Sequence, residues 1–244
     1  MTTKKCVGIV WPEFIRQEHL QEVKSFFPPQ IRLEMIGTQS NPPFNDIEIT
    51  LDQVLKDATS PKIEKATKKL VPLGVDSIGY GCTSHSYVHG LGGDRELADR
   101  ITFATGIPTT TTSSALINAL HYLKINQIGV LSPHVDELNV RLEQFLIGNG
   151  FTVVQMTGLG IQTRIENLPP ENIRELIVGN TNCPAAECIF ISCTSMMTSS
   201  IITELEQTIE KPVVTANQAT AWDVLRLAEI QPNMPGLGKL YSTH

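Results

Sequence analysis

Short apolar runs alternate along the chain with longer stretches of helical periodicity. The runs predict strands at Cys6–Val10, Ile31–Ile36, Ser77–Gly81 and Pro108–Thr111, and again at Gln127–Leu131, Phe151–Gln155, Cys188–Ser192 and Pro212–Thr215. Their bodies are apolar throughout and do not alternate, the pattern of parallel strands covered on both faces. Between them, Pro12–Phe26 carries Phe14, Leu20 and Val23, and Ser113–Leu123 carries Leu116, Ile117, Leu120 and Leu123 at helical spacing. Asp136–Leu146 carries Leu138, Leu142, Phe145 and Leu146, and Gly148 and Gly150 bring it to a stop. This βαβα order predicts an α/β fold with parallel sheets.

The pattern is also written twice. Val7-Gly8-Ile9-Val10-Trp11-Pro12 is matched by Ile128-Gly129-Val130-Leu131-Ser132-Pro133. The stretch that ends in Cys82-Thr83-Ser84 is matched by the one that ends in Cys193-Thr194-Ser195, and Gly106–Thr112 is matched by Glu210–Ala216. The offsets are 129−8 = 121, 193−82 = 111 and 212−108 = 104, drifting as two copies with unequal loops would. On this reading the chain forms an N-terminal lobe of residues 1–112 plus 216–244 and a C-terminal lobe of 113–215. The two face each other across a cleft. Ligands of parallel sheets bind outside the carboxyl ends of strands, so Cys82 and Cys193 are expected on opposite walls of that cleft.

Composition narrows the function. A net charge of −6 without any Lys/Arg run argues against nucleic acid as a partner. No apolar stretch approaches membrane-spanning length, and the start is too short in apolar residues for a signal peptide. Five cysteines, an odd number, fit reduced thiols in a cytoplasmic protein. The absence of any Cys-x-x-Cys pair argues against a metal site. Gly90-Leu91-Gly92-Gly93 lacks the dinucleotide spacing and no P-loop is present, so no cofactor is implied.

A thiol at a strand tip, followed by Thr-Ser and a turn into a helix, sits where backbone N–H groups and the helix dipole favour the thiolate. The same N–H groups and the hydroxyls of Thr83, Ser84, Thr194 and Ser195 suit a carboxylate or an enolate. Two facing thiols allow two-base proton exchange at a Cα, or addition of a thiolate to an activated alkene with the second thiol managing protons. A disulfide is a third option, which a reducing compartment disfavours. Cys6, Cys183 and Cys188 read as structural. His134, at the end of the strand that mirrors Val7–Val10, is expected in the cleft, as is Pro12 at the end of that first strand. His85 and His89 flank Tyr87 and read as either site-lining or loop residues. Arg164, after Gly158-Leu159-Gly160-Ile161, is a candidate clamp for a second carboxylate. Asn217 reads as a helix cap or latch.

Together, Tyr80-Gly81-Cys82-Thr83-Ser84, Ala104–Pro108, Ser132–Asn139, Gly158–Ile161, Ser192-Cys193-Thr194, Pro212–Ala219 and Pro235–Leu240 resemble the aspartate/glutamate racemase superfamily. The resemblance is to the branch that holds maleate cis-trans isomerase, arylmalonate decarboxylase and ectoine-utilisation proteins. It implies two Rossmann-like lobes related by a pseudo-twofold axis, one catalytic cysteine from each, no metal or cofactor, and a homodimer or homotetramer. It implies a small carboxylate substrate, with Cys82 as nucleophile, Cys193 as acid/base, and Thr83, Ser84 and Thr194 holding carboxylate oxygens. Decarboxylases of the branch carry Gly where Cys82 stands, so the isomerase is the expected activity, ahead of a racemase, a decarboxylase or a non-catalytic carboxylate binder. The chain departs from the isomerase pattern in Trp11-Pro12-Glu13-Phe14, in His134, in Thr163-Arg164 and in Thr194-Ser195-Met196-Met197.

Overall fold

A computed structural model describes residues 5–12, 17–38 and 48–242. Eight strands form two four-stranded parallel sheets. The first holds β1 (Cys6–Trp11), β2 (Arg32–Gly37), β3 (Ser77–Tyr80) and β4 (Thr109–Thr111), in the order β2-β1-β3-β4. The second holds β5 (Gln127–Ser132), β6 (Thr152–Gly158), β7 (Cys188–Ile191) and β8 (Val213–Thr215), in the order β6-β5-β7-β8. Rank for rank the two orders are the same, so the sequence repeat is a structural repeat. Each apolar run is a strand within one residue of its expected bounds, except that β6 runs three residues past Gln155, and all pairings are parallel.

Ten α-helices join the strands: α1 (Gln17–Ser25), α2 (Leu51–Ala58), α3 (Lys62–Thr67), α4 (Thr83–Tyr87), α5 (Gly93–Thr105), α6 (Thr112–Tyr122), α7 (Asp136–Gly148), α8 (Pro170–Leu176), α9 (Ile202–Ile209) and α10 (Ala216–Leu227) among the described residues. The helix expected from Pro12 onward is described only from Gln17. Pro12 lies in a bend after β1, its carbonyl accepting from Thr38 Oγ1. Glu13 and Phe14, and His244 at the far end, lie outside the described residues.

The repeat extends to the caps. Thr111 ends β4 and its hydroxyl accepts from the Ser114 N–H at 3.2 Å, opening α6. Thr215 ends β8 and accepts from the Gln218 N–H at 3.2 Å, while Gln218 Oε1 accepts from the Thr215 N–H at 3.1 Å, a reciprocal capping box that opens α10. These two equivalent helices pack against each other, with Thr112 Oγ1 and Thr220 Oγ1 2.9 Å apart. Helix α10 lies on β3 and β4 of the first sheet. Its close approach needs Gly79: a Cβ there would meet Val224 Cγ2 at 2.6 Å and Ile9 Cδ1 at 2.8 Å. Ser77 Oγ donates to the Val224 carbonyl at 2.8 Å across the same seam.

Glu22 makes a second tie between the repeats. Its buried carboxylate, on α1, accepts from the Thr198 N–H at 2.7 Å, Thr198 Oγ1 at 3.1 Å, the Ser199 N–H at 3.1 Å and Ser199 Oγ at 2.6 Å. A buried carboxylate is tolerated when donors surround it in this way. The segment it holds leads directly from Cys193.

Candidate active site

The carboxyl ends of β1, β3, β5 and β7 converge on one cleft enclosing about 420 Å³, part of it open to solvent. Cys82 lines it just past β3, followed by Thr83, Ser84 and His85 in the first turn of α4. Cys193, Thr194 and Ser195 line it just past β7, His134 past β5, and Trp11 and Pro12 at the end of β1. Ile49 and Val54 complete the apolar part, brought in by α2 and the residues before it. Of the residues expected from sequence, Cys82, Thr83, Ser84, Pro12, His134, Cys193 and Thr194 are therefore brought together.

Two contacts show how closely the repeats meet. Thr194 Oγ1 donates to the Gly81 carbonyl at 3.2 Å, tying the turn beside one thiol to the residue before the other. Tyr87, wholly buried on α4, has its phenol pushed well above the ordinary tyrosine range, by burial first and then by the proximity of both Cys193 and Cys82. Its hydroxyl has no hydrogen-bond partner among the described residues. Neither cleft cysteine is in a disulfide.

The polar lining differs in what it can offer. Cys82 is the N-cap of α4 and no side chain caps that helix, so the N–H groups of its first turn lack intrahelical acceptors. Ser84 Oγ lies 3.6 Å from Cys82 Sγ. The buried Thr83 Oγ1 has no partner among the described residues. The Thr194 hydroxyl commits its proton to Gly81, so toward an anion this residue has only its N–H to donate. Cys193 has φ +86°, a left-handed backbone that non-glycine residues rarely hold. The turn around it is clamped by Asn217, whose Nδ2 donates to the Thr194 carbonyl at 3.0 Å and the Met196 carbonyl at 3.5 Å. Asn217 is thus a latch on the turn and does not line the cleft.

Both cleft histidines are uncharged near neutral pH. Burial lowers His85 to about 4, against an opposing pull from Asp57 and with help from His89. Burial lowers His134 to about 4 as well, and His85 adds to it. His134 Nδ1 is buried without a partner among the described residues, while its backbone is fixed by Ser132 Oγ, which accepts from the His134 N–H at 3.3 Å, and by Asn139 Nδ2, which donates to its carbonyl at 2.9 Å.

Arg164 does not join the site. It is exposed, with φ +56°, at the start of a short turn over Ile165–Asn167 that buries Ile165 and leaves the arginine outside. The cleft gains from this loop only indirectly: Gln162 offers its carbonyl to the Ile49 N–H at 2.8 Å and so seats Ile49. His89 does not line the cleft either, whereas His85 does. Ser195, whose hydroxyl the sequence offers beside that of Thr194, lines the cleft too, and Trp11 adjoins Pro12 within reach of the strand-end argument. Ile49 and Val54 carry no such signal. Cys188 is buried with its thiol pushed far up, by burial first, and Cys6 accepts from Arg32 Nε at 3.0 Å, both away from the cleft.

The arylmalonate decarboxylase family pattern matches residues 47–241 of the chain. The chain belongs to this family. A maleate isomerase of Pseudomonas putida is 26% identical over 209 residues, 82% of this chain and 84% of that relative. The arylmalonate decarboxylase of Bordetella bronchiseptica is 27% identical over 191 residues, 76% of this chain and 79% of that relative. In fold, a cysteine-to-serine mutant of Nocardia farcinica maleate cis-trans isomerase, solved with a covalently bound succinylcysteine intermediate, superposes with a TM-score of 0.85. It is 15% identical and covers 98% of this chain and 99% of that one.

Proposed function

We propose that the protein is a cofactor-independent isomerase of a small dicarboxylic acid of the maleate type. The observation that carries this reading is the pair of cysteines, Cys82 and Cys193, lining one cleft from equivalent strand ends without a disulfide. The Cys82 thiolate adds to one alkene carbon, forming a C–S bond. The π pair moves to the neighbouring carbon, where it is delocalised into the carboxylate or takes the proton of Cys193. The former double bond is now single and rotates. Return of the proton to Cys193 and of the electron pair to the C–C bond expels the thiolate and gives the trans acid, with no net gain or loss of atoms or electrons. The N–H groups of Thr83 and Ser84 hold one carboxylate. The succinylcysteine of the Nocardia enzyme supports the addition step, since succinyl is what maleate becomes on gaining a thiolate and a proton.

The test is proton NMR of the protein with maleate in D2O. Fumarate should accumulate with wild type, and Cys82→Ala should lower the rate by at least about a thousandfold, as expected for loss of a covalent nucleophile. Wild-type protein that leaves maleate unchanged would reject this substrate. A second reading, racemisation by two-thiol proton exchange, is favoured by the apolar lining of Trp11, Pro12, Ile49 and Val54, which suits an acid with one apolar substituent. Deuterium appearing at Cα of such an acid, with maleate untouched, identifies it.

A further inference from the structure

His85 is buried in the first turn of α4 and lines the thiol cleft. It also borders an adjoining cavity with Tyr80, Asp57 and Lys62. Its ring stacks on Tyr80 with centroids 6.1 Å apart, and its Nδ1 lies 2.7 Å from the Tyr80 hydroxyl. That hydroxyl is wholly buried and has no other partner among the described residues. A buried hydroxyl places its proton on the one acceptor within reach. Tyr80 therefore donates, Nδ1 accepts, and a neutral imidazole must then carry its hydrogen on Nε2. Burial supports the neutral form by lowering His85 to about 4. Tyr80 borders the adjoining cavity but not the thiol cleft, whereas His85 borders both. No hydrogen bond engages Nε2 among the described residues, and it is not among the polar atoms sealed from solvent.

We infer that His85 is a substrate-binding residue, held by Tyr80 as the Nε2–H tautomer so that its N–H donates to a carboxylate oxygen of the bound acid. The inference rests on the small-carboxylate reading above. It adds a second donor set to the N–H groups of Thr83 and Ser84, as an acid with two carboxylates requires. Tyr80 is a positioning residue that acts through the ring.

Calorimetric titration with succinate, an unreactive analogue, tests it on wild type, His85→Leu, His85→Gln and Tyr80→Phe, alongside 15N NMR of the histidine side chains. Wild type should bind succinate. His85→Leu should bind it at least about tenfold more weakly, the scale of one hydrogen bond to a charged group, and His85→Gln should recover most of the loss through its amide N–H. The wild-type spectrum should show His85 protonated on Nε2 and bare on Nδ1, and Tyr80→Phe should mix the two tautomers, which a purely structural phenol would not do. Unaltered affinity in both His85 variants, or a hydrogen found on Nδ1, overturns the inference. The glutamine variant and the wild-type spectrum decide the matter even if His85→Leu does not fold. Wild type that binds neither succinate nor maleate sinks the small-acid reading and this inference with it, whereas binding that ignores both substitutions sinks this inference alone.

Discussion

Cys193 holds a backbone φ of +86° that costs a side-chain-bearing residue on the order of 1–3 kcal/mol and is natural to glycine. A strained thiol kept at the mouth of a cleft points to a use for its sulfur. Cys193→Gly should accordingly be more stable than Cys193→Ala, by about 1 kcal/mol after the extra flexibility of glycine in the unfolded chain is subtracted, while both lose turnover. Thermal melts beside the maleate assay check this, and an alanine variant as stable as the glycine one would remove the strain argument. The five cysteines should also separate by labelling. Brief iodoacetamide treatment followed by peptide mass spectrometry should modify Cys82, with protection by succinate, and leave Cys188, whose thiol burial pushes far up, unmodified. At this scale Cys82, Thr83, Ser84, His134 and Cys193 were legible because each follows directly on an apolar strand, and strand tips are where parallel sheets bind ligands. Arg164 misled because nothing local says that Ile165 takes the buried side of the turn.

Among the elements, the strands were legible, because strands covered on both faces read as near-continuous apolar runs, as in β1, β5 and β7. The equivalent threonine caps of α6 and α10 were written in the chain too, at the ends of the matched segments Gly106–Thr112 and Glu210–Ala216. The contacts between elements were not. Gly79 permits α10 to lie against β3, so Gly79→Ala should destabilise by about 1–3 kcal/mol through overpacking, a fall of several degrees in melting temperature for a chain of this size. Glu22 is the element-scale lock on the Cys193 turn. Glu22→Gln leaves an amide that cannot accept all four hydrogen bonds, and should cost about 2–3 kcal/mol together with a measurable drop in turnover as the turn loosens. Stability lost with turnover intact would show that the lock does not reach the thiol.

For the whole molecule, acid should be destabilising. His85 and His134 stand near 4 in the folded chain and at the ordinary 6.5 or so in the unfolded one. Between those values the unfolded chain takes up protons that the native one refuses, so the stability is complete above about pH 6.5 and falls as pH drops toward 4, by on the order of a few kcal/mol for the pair. Glu206, raised by burial, works in the opposite sense in the lower part of that window, one group against two. Melting temperature recorded from pH 7.5 down to pH 4.5 should decline, and the decline should be shallower in His134→Gln; a flat profile in wild type would contradict the buried, neutral histidines. The sequence by itself determined the α/β class, the order of elements, the duplication and the placing of two thiols at strand tips. These follow from apolar periodicity and turn chemistry, which are local and need only neighbouring residues to be expressed. Tertiary structure alone decided that Gly79 lets α10 lie close on β3, that Ile49 and Val54 complete the cleft, that Thr194 spends its proton on Gly81 and that Tyr80 sets the tautomer of His85. Those outcomes depend on packing distances and buried hydrogen-bond partners, several of them between residues far apart in the chain, and no pattern within a segment encodes them.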